Sequence, residues 1–136
     1  LQCAASVFTP ATFQCKQPAS NPTSISSADP QYTDMVIKWY GGDGNDCSFQ
    51  AWHIQIRDGA SNSDSDWREI PDTDACSKVL LTSRDITECL LDGYLDGNPP
   101  TEVGLTEGAT YQVRVMETCT NSDYQSGWKA SAKITL

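Results

Sequence analysis

Through most of this chain apolar residues recur at every second position, the period of a strand with one face in a core and the other in solvent. The clearest case is LTEGATYQVRVMETC, residues 105–119. Tyr111, Val113 and Val115 share one parity there, and Gln112, Arg114, Met116 and Thr118 share the other. In TDMVIKWY, Met35, Ile37 and Trp39 alternate with Val36, Lys38 and Tyr40. CSFQAWHIQIRDG sets Trp52, Ile54 and Ile56 against His53, Gln55 and Arg57. The terminal WKASAKITL sets Ala130, Ala132, Ile134 and Leu136 against Lys129, Ser131, Lys133 and Thr135. Shorter strands are expected over 23–27 and 67–70. GGDGND (41–46) and ASNSDSD (60–66) have the composition of turns and loops. The stretch 71–104 is the least periodic. It has apolar triplets at 79–81 and 89–91, and the TSRDITE between them fits a strand or a helical turn. No strongly amphipathic helix interrupts the series, so the pattern predicts an all-β chain with strands at sandwich spacing.

A chain of 136 residues is long enough for one domain with a sizeable core and too short for two. Its net charge of −9, with nine basic residues scattered along it, argues against nucleic acid as a partner. No apolar run is long enough to span a bilayer as a helix. The start at Leu1, without Met or a basic-then-apolar leader, reads as a mature end left by signal-peptide removal, or as a boundary of another origin.

The cysteines change the picture more. There are six, Cys3, Cys15, Cys47, Cys76, Cys89 and Cys119, with no C-x-x-C pair and a single histidine, His53, to join them. That combination favours disulfides over a zinc site, and with them an oxidising, extracellular or cell-surface setting.

Three stretches together resemble a fibronectin type III domain. IKWY resembles its second strand, ending in a buried tryptophan at Trp39. WHIQIRDG, with Trp52, resembles its third. LTEGATYQVRV resembles the leucine, turn, tyrosine and alternating sixth strand. The resemblance implies an antiparallel two-sheet sandwich in which Leu105 and Tyr111 anchor one corner, the tyrosine hydroxyl bonded to backbone in the preceding turn. It also implies a module beginning near Asn21, so that residues 1–20 form an extended arm and 21–136 the sandwich, with an insertion within 71–104. The family typically lacks disulfides, so the cysteines depart from its pattern, and an immunoglobulin-like sandwich of another topology is the alternative. In such a sandwich the third and sixth strands are antiparallel neighbours, which would set Cys47 beside Cys119. Cys76–Cys89 would then close the insertion and Cys3–Cys15 would remain, one of many possible connectivities.

Candidate chemistry is sparse. His53 falls on an outward parity, no serine lies in a G-x-S-x-G elbow, and paired cysteines leave no thiolate, so no enzyme is expected. No cofactor is implied. Calcium candidates are the carboxylate pairs Asp43/Asp46 and Asp64/Asp66, with Asp72/Asp74 and Asp92/Asp96 beyond them, but none has EF-hand spacing and such pairs are also ordinary solvated turns. No Asn-x-Ser/Thr sequon is present. The Ser/Thr/Pro-rich stretch 18–30, and Thr9 and Thr12 beside Pro10, are candidate O-glycan acceptors by composition alone. Trp67 and Trp128 would suit a sugar platform if exposed, although core or edge packing is the commoner role.

The arm is the feature a lone sandwich does not require. Val7, Phe8 and Phe13 make it too apolar for a solvated tail. It either packs locally as a hairpin closed by Cys3–Cys15, or adds a strand to the open sheet edge of a neighbour. The second option makes head-to-tail contacts that propagate into filaments. The leading expectation is thus a secreted structural or adhesive subunit assembling with copies of itself. The runner-up is a ligand-binding ectodomain module of a receptor or adhesion protein, and a secreted hydrolase or its accessory carbohydrate-binding module ranks third.

Overall fold

The computed structural model describes residues 16–28 and 30–136. Ten strands follow one another: β1 (Thr23–Ala28), β2 (Met35–Tyr40), β3 (Phe49–Asp58), β4 (Arg68–Glu69), β5 (Glu88–Leu91), β6 (Gly93–Asp96), β7 (Thr101–Gly104), β8 (Thr110–Cys119), β9 (Lys129–Ala130) and β10 (Ile134–Thr135). The smaller sheet has the order β1-β2-β5. The larger runs β10-β8-β3-β4, with β9 also on β8, and β6-β7 is a separate hairpin. Every pairing is antiparallel. This is the expected all-β sandwich.

The alternating parities set its interior. Met35, Ile37 and Trp39 of β2 face Trp52, Ile54 and Ile56 of β3 and Tyr111, Val113 and Val115 of β8 across a core that Leu81, Leu91 and Leu105 complete. Trp39 and Trp52 meet edge to face with ring centroids 5.9 Å apart, a geometry that adds to their area burial. At the corner before β8, Leu105 is buried and the Tyr111 hydroxyl accepts a hydrogen bond from the Thr106 N–H at 2.9 Å. Gly108 between them adopts φ +79°, which a side chain would strain.

Two disulfides join described residues, Cys47–Cys119 and Cys76–Cys89, with Cα separations of 5.4 and 5.3 Å. The first links the start of β3 to the end of β8; the second ties the insertion to β5. Their loops of 72 and 13 residues correspond to about 4.4 and about 2.9 kcal/mol in the chain-entropy treatment. Cys3–Cys15 and the arm residues Val7, Phe8 and Phe13 lie outside the described residues.

The last strand departs from the expected single run. The alternation in WKASAKITL puts Ala130 and Ala132 inward, yet both are exposed and Ser131 is buried. β9 pairs Arg114 with Ala130, whereas β10 pairs Tyr111 with Ile134, a slip of one residue. Ser131 lies in that break. Its hydroxyl accepts from the Val113 N–H at 3.1 Å, and the Ser131 N–H donates to the Val113 carbonyl at 2.8 Å. A one-residue slip reverses inside and outside, so Ala130 and Ala132 are exposed, while Ile134 is buried and Leu136 packs half-buried against the core.

Candidate interaction surfaces

Three places on this frame concentrate side-chain chemistry. The first is the outer face of the larger sheet. Arg57 of β3 lies over the Trp67 ring at 4.3 Å; Arg114 of β8 sits 4.5 Å from Trp67 and 4.1 Å from Trp128; and His53 packs on Trp128 with ring centroids 5.0 Å apart. The order across the sheet is Arg57, Trp67, Arg114, Trp128, His53. Outward parity puts His53, Arg57 and Arg114 on this face, while Trp67 reaches it from the entry to β4 and Trp128 from the entry to β9. Guanidinium planes on indole faces gain cation–π attraction while keeping their donors free. Those donors are used: Arg114 Nε donates to Gln55 Oε1 at 2.8 Å, and Arg57 donates to Gln112 Oε1 at 2.9–3.1 Å. His53 and Gln55 both donate to Glu69, at 2.6 and 2.8 Å.

Burial pushes the Glu69 carboxyl up, but the His53 and Gln55 hydrogen bonds and the positive charge nearby outweigh it and hold it below its ordinary value. Desolvation lowers the Arg114 pKa; Asp64 opposes the shift and Arg57 reinforces it. His53 is half-buried in this network, and Trp67 and Trp128 are stacked rather than offered as an open sugar platform.

The second place is the pole where residue 16 enters the sandwich. The Ala19 N–H donates to Tyr124 O, Ser20 N–H to Asp43 O, and Gly127 N–H to the Asn21 side chain. The Asp46 carboxylate accepts from the Gln17 N–H at 2.7 Å, and Asn45 donates to Pro18 O at 2.9 Å. Residues 17–20, on the arm side of the expected boundary at Asn21, are therefore hydrogen-bonded to the module. The GGDGND composition has a structural reason here: a Cβ on Gly42 would come within 2.7–2.8 Å of Ser20 and Asn21. Asp43 accepts from the Asn45 N–H, Ser63 and Ser65 bond one another beside exposed Asp64, and Asp66 accepts from Ser61. The four calcium candidates thus lie in two separate turns. Among the described residues no group of three or more acidic, His or Cys side chains is arranged to hold a metal.

The third place is the insertion, where the structure brings out residues the sequence pattern did not single out. Glu117 is fully buried on the inward parity of β8, and Arg84 reaches it with donor distances of 3.1 and 3.3 Å while also donating to the Gly42 carbonyl. Asp74 is buried too, accepting from the Cys76 N–H at 2.8 Å and the Asp92 N–H at 3.1 Å. Burial and the neighbouring Asp92 carboxyl push its pKa up to about 6. Beyond it, β6 borders a cleft of about 470 Å³ lined by Arg57, Asp58, Arg68, Tyr94 and Tyr111. An Arg68–Asp96 ion pair at 2.8 Å stands at its wall.

No protein-family model matches the chain, and no curated protein matches it in sequence. Solved structures do resemble it. Domains A168–A170 of titin superpose with a TM-score of 0.59 at 12% identity, over 88% of this chain and 32% of that one. A fourth fibronectin type III domain from human gives 0.59 at 17%, over 96% and 90%. The chicken CNTN1 FN1–FN3 domains give 0.56 at 16%, over 86% and 32%. This chain thus spans about a third of the titin and CNTN1 fragments and most of the single human domain. Such low identities speak to architecture alone, and architecture is what they agree on. The chain carries a fibronectin type III-like β-sandwich, stapled among its described residues by two disulfides that the family pattern usually lacks.

Proposed function

We propose that the protein is a non-enzymatic, extracellular structural or adhesive module that assembles head to tail with copies of itself through its N-terminal segment, residues 1–20. One observation carries this reading: residues 17–20 and the last strand are at opposite poles. Residues 17–20 are bonded to the 41–46 and 121–127 loops, whereas Leu136 pairs with Ala109 at the far end of β8. Bonds to Asp43, Asp46 and Tyr124 hold residues 17–20 against their pole. The preceding residues, 1–15, carry no charged side chain in a chain of net charge −9. Fully extended they reach about 50 Å, longer than the sandwich strands. The disulfides fit an oxidising compartment.

A ligand-binding module of a larger receptor or adhesion protein is the second reading, supported by the same polar arrangement, which also suits beads on a string. Light scattering after size exclusion, without reductant, separates the two. The full chain is expected to form large species, and a chain beginning at Lys16 to run as a single folded copy. The start at Lys16 keeps the contacts of residues 17–20 intact. A full chain that remains a single copy at all concentrations removes the self-assembly reading in favour of the receptor-type module.

A further inference from the structure

Resting on that reading, we infer that the surface receiving residues 1–15 of a second copy is the free edge of β5, centred on Leu90. The main-chain pattern defines this edge. Trp39 N–H donates to Thr87 O, and β2 and β5 continue in register as Ile37–Cys89 and Met35–Leu91. In an antiparallel ladder hydrogen-bonded pairs alternate, so Thr87, Cys89 and Leu91 spend their amides on β2. Glu88 and Leu90 then turn theirs the other way. Asp92, of the same parity, confirms the direction: its N–H meets the Asp74 carboxylate and its carbonyl accepts from Leu105. Among the described residues nothing bonds the main chain of Glu88 or Leu90. The edge is closed at Asp92 and open for the two rungs before it.

Of the two open rungs, Glu88 carries an exposed carboxylate facing Lys38, and Leu90 is apolar. Leu90 is 45% exposed, and the register sets Ala28, Val36 and Leu90 in one row across the outer face of the small sheet. The insertion, tied to β5 by the Cys76–Cys89 disulfide, also exposes Val79 and Leu80. An uncharged segment carrying Val7, Phe8 and Phe13 matches such a strip: main-chain bonds to Glu88 and Leu90 supply affinity, and the apolar side chains cover Leu90 and Val36. The opposite edge, β1, is a poorer acceptor. It is bulged between Thr23 and Ser26 and carries serines at 24, 26 and 27. The position of the row also suits a second copy, because Val36 and Leu90 lie toward the pole opposite to the one residue 16 enters.

The test uses the full chain. Leu90→Pro removes one outward N–H without touching the β2 ladder, and proline is tolerated at such edge positions. Beside it, a benzophenone amino acid at position 90 is photolysed in a mixture of ¹⁴N- and ¹⁵N-labelled copies, and cross-links are mapped by mass. The expected result is loss of the large species in Leu90→Pro with an unchanged near-ultraviolet spectrum, and cross-links from position 90 into residues 1–15 of the other isotope. Polymers that persist in Leu90→Pro, with cross-links elsewhere, overturn the β5 acceptor and leave self-assembly standing. Cross-links into residues 1–15 of the same isotope, from a chain that runs as a single copy, overturn both. Should Leu90→Pro lose its fold, the cross-link map alone decides.

Discussion

The two outer faces of the sandwich have been finished in opposite ways. On the larger sheet every outward position from His53 to Arg57 and from Gln112 to Arg114 is engaged by a neighbour, and two tryptophans from flanking segments are drawn in to fill the gaps. On the smaller sheet the outward rows are bare. One is the weak Lys38–Glu88 pair, 3.9 Å apart with both partners exposed, and the next is the apolar Ala28–Val36–Leu90 row. A face whose polar groups satisfy one another offers a partner little, because docking would have to replace bonds already made. A face with unspent main-chain groups and exposed apolar atoms gains from being covered. The contrast says which side of the molecule is architecture and which is available.

Substitutions can break that contrast, and the largest effect should come from beneath it. Arg84→Ala leaves Glu117 fully buried without its cation and is expected to cost about 3–5 kcal/mol, read as a shifted denaturant midpoint with an unchanged slope. Arg114→Ala removes the middle of the stack, two indole contacts and the Gln55 bond together. A loss of about 2 kcal/mol is expected, together with a changed tryptophan near-ultraviolet signal from the freed rings of Trp67 and Trp128.

Asp92→Asn tests the carboxyl pair at the end of the β5 edge. Asp74 has a folded pKa near 6 against about 3.8 unfolded, so between those values the folded state holds a proton the unfolded state has released. Its contribution to stability is therefore full below about pH 4 and is lost as pH rises through 6. Neutralising Asp92 lets the Asp74 pKa fall. The variant should gain on the order of 1 kcal/mol over the parent at pH 7.5 and much less at pH 4, measured as the difference between their denaturation curves.

Leu90→Lys lies at the small end. On the bare face it should leave the stability of the single copy within about 0.5 kcal/mol, while reducing assembly in light scattering as Leu90→Pro does. An effect of Leu90→Lys on fold stability as large as that of Arg114→Ala would erase the distinction between the two faces.

Periodicity made the sandwich readable because a strand with one buried face writes its parity into the sequence. Trp39, Trp52 and Tyr111 are buried on that parity, and Leu105 is buried at the corner that the family resemblance implied. What it could not write were contacts between distant segments. Ser131 breaks the final strand only because the Val113 main chain is there to bond it. Glu117 shares the inward parity of Val113 and Val115, so a charge at a core position was a visible anomaly, but its partner lay in the aperiodic stretch 71–104. Within that stretch GYLD and TEVG flank Gly97-Asn98-Pro99-Pro100, a turn composition, and form the β6–β7 hairpin; its short arms gave too few alternations to stand out. The tryptophan–arginine order needs four segments side by side, which no local window contains.

The Cys47–Cys119 bridge acquires another meaning once the module is considered as a link under tension. Force applied at residue 16 and at Leu136 enters at opposite poles, and residues 48–118, between the two cysteines, lie off the covalent path joining them. With the bridge closed, complete unravelling frees a contour of about 160 Å; with it reduced, about 400 Å. β3 to β7 and nearly all of β8 are thereby withheld from extension, so the overstretched module stays short and keeps its longest ladder available for recoil.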